Sequence, residues 1–152
     1  MKLTQHPLHP ALAHFPVAFW SAAAATDAAA VVTGDGSWWT WSHHALVAGL
    51  LAGTLALLAG AAEAFLRTIP RPAQKTLVLH LSCMLAAFSL FLASLALRKH
   101  SPPSSAAVAL SALGLVILLI GGWFGGSLVY RFGVGTRFTA PASTGESNES
   151  KV

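Results

Sequence analysis

The chain has 152 residues, of which 55% are apolar and 9% charged, where a typical soluble domain carries about 25% charged residues. So little polar surface cannot solvate a globule of this size. The net charge of +4 sits at the edges of apolar blocks and forms no stripe for phosphate, which excludes a nucleic-acid partner.

In chain order, two His-Pro pairs, His6-Pro7 and His9-Pro10, come first, with proline where a helix start has no use for its N–H. These two histidines read as interfacial side chains. The first apolar block runs from Ala11 to Val32. Small residues between Ala22 and Ala30 resemble a signal-peptide cleavage region, but His14 and Pro16 interrupt the apolar stretch, so the block is expected to be retained as a helix. Three further blocks follow, from His44 to Leu66, Thr76 to Leu97 and Ala106 to Tyr130. Each is long enough for the roughly 20 helical residues that a bilayer requires, and none alternates as a barrel strand does. The links, Thr33 to His43, Arg67 to Lys75 and Arg98 to Ser105, are polar or rich in proline and glycine.

The expected fold is therefore all-α: a four-helix transmembrane bundle over residues 1–137, with a disordered, polar C-terminal tail at 138–152. No internal repeat stands out. Lys2, Arg67, Arg71, Lys75, Arg131 and Arg137 fall on one side, and only Arg98 and Lys99 on the other. That bias predicts both termini inside the cell, in a bacterial inner membrane, with Trp38, Trp39 and Trp41 as an outer aromatic belt. The lone cysteine, Cys83, excludes an intrachain disulfide and reads as a small hydrophobe.

Small residues four apart let helix backbones approach closely in lipid. Gly49 and Gly53 in the second helix, with Gly121 and Gly125 and again Gly122 and Gly126 in the fourth, have that spacing. They predict close helix contacts, within the bundle or in a homo-oligomer.

Ionisable side chains inside apolar helices are costly and are candidates for function. His14, Glu63 and His80 fall at one level, roughly 5–6 Å inside the basic end at 1.5 Å per residue. Two imidazoles on different helices suit the axial positions of one b-type haem, with a redox partner protein. With Glu63 they also suit a directly bound Fe, Mn or Zn ion. The bland alternative is that His14, Glu63 and His80 only fix helix packing through hydrogen bonds, Glu63 pairing with Arg67 one turn on. No helix carries histidines one membrane depth apart, which argues against two stacked haems. At the other end Asp27 approaches His43 and His44 in the sequence-based topology and is expected to bond to one of them; these two with His100 form a weaker second site. No nucleophile has a base and an orienting group beside it, so catalysis finds no support.

The segment His9-Pro10-Ala11-Leu12-Ala13-His14-Phe15-Pro16-Val17-Ala18, followed by Asp27, resembles the opening of the bacterial membrane family catalogued as domain of unknown function 2231. Gly121-Gly122-Trp123-Phe124-Gly125-Gly126-Ser127-Leu128-Val129-Tyr130-Arg131-Phe132-Gly133-Val134-Gly135 resembles its closing motif. The resemblance spans His9 to Gly135 and implies a four-helix membrane domain. It also hints at a redox setting, because some members are joined to Rieske-type iron–sulfur domains. Matched position by position, it marks His9, His14, Asp27 and His80; Glu63 stands where the family implies aspartate, and Phe132 where it implies a polar residue.

Overall fold

The computed structural model describes residues 8–99 and 102–136. Lys2, His6, His100, Arg137 and the tail at 138–152 lie outside the described residues. Among the described residues there are four helices: α1 (Leu8–Thr33), α2 (Ser37–Leu66), α3 (Arg71–Leu97) and α4 (Ser105–Tyr130). All four are long and apolar enough to cross a membrane.

Local chemistry sets the ends. α1 stops at Gly34, whose φ of 71° is the left-handed conformation that glycine adopts freely after a helix. The Asp35 carboxylate accepts the Ser37 backbone N–H at 2.8 Å, and α2 begins there. Consequently Trp38, Trp39, Trp41 and His43 are helical, not part of a polar link; polar residues at an interface do not end a helix that has no breaker. α3 starts at Arg71, with Pro72 in the first turn, where a missing N–H costs nothing. The Ser104 side chain accepts the Ala107 N–H at 3.3 Å and caps α4.

α1 packs along α2 and α3 along α4, with lighter contacts between α1 and α4 and between α2 and α3. α1 and α3 thus stand diagonally and meet through long side chains. At mid-depth Trp20 stacks on Phe91, with ring centroids 4.7 Å apart and planes 14° apart. The outer faces stay apolar: Phe65, Leu66 and Leu119 are exposed, as lipid-facing side chains are.

Burial reveals a repeat in which the second hairpin copies the first. The inward positions Pro16, Trp20, Ala23 and Asp27 of α1 recur, at equal spacing, as Ala87, Phe91 and Ser94 of α3 and Arg98 just past its end. Ser42, Leu46, Gly49, Gly53 and Ala56 of α2 recur as Ala107, Ser111, Gly114, Leu118 and Gly121 of α4, and all ten are buried. Even one hydrogen bond recurs with its roles exchanged. The Ser42 hydroxyl donates to the Ala23 carbonyl at 3.2 Å, and in the second hairpin Ser94 donates to the Ala107 carbonyl at 2.7 Å.

Packing volumes compensate between the copies. A Cβ at Gly49 or Gly53 would fall within 3 Å of the Trp20 ring, and one at Gly114 would lie 3.1 Å from Phe91. The larger indole covers two glycines. The smaller phenyl covers one, and Leu118 fills the place of the second. Interiors held to crystal-like density leave little other choice.

Candidate functional site

The repeat brings equivalent residues of α1 and α3 together on the bundle axis at three depths: His9 with His80, Trp20 with Phe91, and Asp27 with Arg98. His9 and Asp27 are separated by about 27 Å along α1 at 1.5 Å per residue, so the two polar pairs sit at opposite ends of the span.

At the end away from the basic loops, Arg98 grips Asp27 with both arms. Nη1 donates to Oδ1 at 2.9 Å and Nη2 to Oδ2 at 2.5 Å, with both side chains only 3% exposed. This is the bidentate geometry that guanidinium and carboxylate favour. The remaining polar atoms close a circuit. Arg98 Nη2 donates to Ser111 Oγ at 3.2 Å and Nε to Ser94 Oγ at 3.4 Å. The Ser94 hydroxyl hydrogen goes to the Ala107 carbonyl, so in the 2.9 Å contact between the two hydroxyls Ser111 is the donor.

Asp27 therefore bonds to Arg98 and not to His43 or His44 across the first turn. Those two histidines are exposed near the start of α2, where the His44 Nδ1 lies 2.8 Å from the Thr40 carbonyl. Arg98 was countable in the sequence only as a topology charge. Neutralised by Asp27, it leaves Lys99 as the free cation of that side among the described residues.

At the basic end the inward imidazole of α1 is His9. Its Nδ1 lies 2.8 Å from the Ala56 carbonyl of α2, and its backbone N–H donates to Glu63 Oε1 at 3.0 Å. His80 repeats the contact in the second hairpin, with Nδ1 2.8 Å from the Gly121 carbonyl of α4. The two rings meet edge to face, centroids 6.2 Å apart and planes at 77°. Each rests on a glycine one turn beyond its carbonyl partner: a Cβ at Gly60 would lie 2.8 Å from His9, and one at Gly125 2.9 Å from His80.

His14 is not brought to this cluster. Five residues beyond His9, at 3.6 residues per turn, it points about 140° away, and its side chain is exposed. Glu63 is half-buried beside Arg67, at 3.7 Å. Among the described residues no three His, Cys, Asp or Glu side chains stand together as a metal site, so His14, Glu63 and His80 do not form one as the chain folds.

The glycine strips divide. Gly49 and Gly53 receive Trp20, while Gly121 and Gly125 receive Met84, Cys83 and His80, all within the chain; Gly122 meets nothing and Gly126 only the rim of Tyr130 at 4.0 Å. Sequence reasoning undervalued His9, Arg98, Ser94 and Ser111. The signal that could have found them is the shared spacing of His9, Trp20 and Asp27 with His80, Phe91 and Arg98.

Comparison with curated proteins and with solved structures gives no match. The family model of the predicted membrane proteins known as DUF2231 matches residues 5–137, a stretch that holds all four spans and both polar pairs. The chain belongs to this family, an integral membrane family of unknown function.

Proposed function

We infer that the chain is a multi-pass protein of the bacterial cytoplasmic membrane, with both termini inside, acting as a non-catalytic partner subunit of a membrane assembly. The observation that carries this reading is the pairing of the charged side chains within the bundle. Asp27 and Arg98 satisfy each other, and His9, His80 and Glu63 each bond to another helix or to the neighbouring turn. Two features face outward. His14 is exposed in an apolar span, where an ionisable group is expensive unless something covers it, and Gly122 and Gly126 offer close approach on the outside of α4. The test is the particle mass after mild-detergent extraction from native membranes. An assembly larger than one chain, weakened by Gly126→Leu, is expected; a monomer under the gentlest extraction would sink the reading.

The redox alternative, one b-type haem held by His14 and His80, meets a geometric obstacle. The two residues do not fit that role, since His14 points outward while His80 points to the axis, and no electron-transfer step follows from them. The imidazoles that do share the axis are His9 and His80. A reduced-minus-oxidised absorbance spectrum of the purified chain decides the matter. Haem bands lost in His80→Ala would return the redox reading, with His9 as the second ligand to examine.

A further inference from the structure

We propose that His9 and His80 form an open transition-metal site on the bundle axis at the basic end, taking a borderline divalent ion such as zinc through their two Nε2 atoms.

The argument begins with a proton. A backbone carbonyl can only accept, so the 2.8 Å contacts to the Ala56 and Gly121 oxygens place a hydrogen on Nδ1 of each ring. In the neutral imidazole the Nε2 lone pair is then free. Neither Nε2 has a hydrogen-bond partner among the described residues, and the rings stand 6.2 Å apart between centroids. Histidines that ligate metals almost always carry their other ring N–H on a carbonyl or carboxylate, which fixes tautomer and orientation. Both rings already have that arrangement, and Gly60 and Gly125 behind them leave little freedom to turn away.

The same contacts answer the packing explanation. A histidine kept only to bridge helices needs one ring nitrogen. Here the repeat supplies the same half-site twice, one from each hairpin. Imidazole suits Zn, Cu, Fe and Ni. Among the described residues no third His, Cys, Asp or Glu joins the two. His9 lies one residue inside the start of α1, where solvent reaches it. Glu63, bonded to the His9 backbone N–H, supplies nearby negative charge. The site is independent of the partner-subunit reading, since it lies on the axis of one chain.

The experiment uses the full chain in detergent, freed of any affinity tag and stripped with chelator, then titrated with zinc by calorimetry. One ion per chain is expected. His9→Gln and His80→Gln should each lose it, while His14→Gln should keep it. Cobalt in place of zinc gives a visible d–d band that should follow the same pattern. Binding that survives in the His9→Gln/His80→Gln double variant, or its absence in the native chain, overturns the proposal. The native chain also supplies a readout that needs no substitution: its melting temperature should rise with zinc and fall back with chelator. No change would overturn the proposal equally.

Discussion

The two ends of the bundle axis hold the same repeat positions and use them in opposite ways. At one end Asp27 and Arg98 bond to each other, so the contact runs between hairpins and seals them. At the other end His9 and His80 each bond within their own hairpin and only touch across the axis. A charge in a low-dielectric interior has to find its complement, whereas a neutral ring with one satisfied nitrogen can stop short of its neighbour. One end is a lock, and the other is left with free valence.

The sharpest way to break this contrast is to unmake the lock. Asp27→Leu or Arg98→Leu alone strands a buried charge and should destabilise the bundle by about 3–5 kcal/mol, read as a loss of folded fraction in denaturant titration. The double Asp27→Leu/Arg98→Leu variant should recover most of the loss. The exchange Asp27→Arg/Arg98→Asp should recover part of it, because the repeat makes the two positions equivalent. If the single variants unfold no more readily than the native chain, the sealing role fails.

A smaller effect is expected where the hairpins pack internally. At Gly49 a new Cβ meets the rigid Trp20 ring, and Gly49→Leu should cost about 1–3 kcal/mol by overpacking. Gly122→Ala, with nothing in its way, should leave stability unchanged or raised by up to about 1 kcal/mol through helix propensity. Equal responses at the two positions would show that the inner and outer strips are not distinct. His80→Ala comes next, removing one interhelical bond worth about 1 kcal/mol in a membrane, well short of an Asp27 variant.

The smallest effect lies in the first turn, outside the spans. The Ser37 backbone N–H, and after it the Ser37 side chain, hold the Asp35 carboxyl below its ordinary value of 3.8. A depressed carboxylate contributes above that ordinary value, and the contribution is lost as pH falls through the lowered one. Amide exchange at Ser37 should therefore accelerate only in strong acid, and at all pH values in Asp35→Ala. An identical pH profile in that variant would dismiss the cap.

Much of the fold was legible in the sequence, because length and apolarity alone dictate membrane helices. The helix starts were less so: His43 and His44 looked like a boundary, although nothing between Ser37 and them stops a helix. The site was harder for a geometric reason. Counting residues from a helix end gives depth but not direction, so His14 and His9 look alike until the 100° turn per residue is applied against a known core. Arg98 was visible as a charge yet not as a partner, because its acid lies 71 residues away. The repeat stayed hidden since Trp20 and Phe91, or Asp27 and Arg98, match in place and not in identity.

That same separation has a consequence for how the protein is made. Asp27 enters the bilayer with the first hairpin, 71 residues ahead of its guanidinium. Until α3 has been threaded to its last turn, the nascent chain displays an unanswered acid in lipid. A chain stopped short of Arg98 keeps that blemish permanently, and a complete one erases it on closing. The pair is thus complete only when both hairpins are in place.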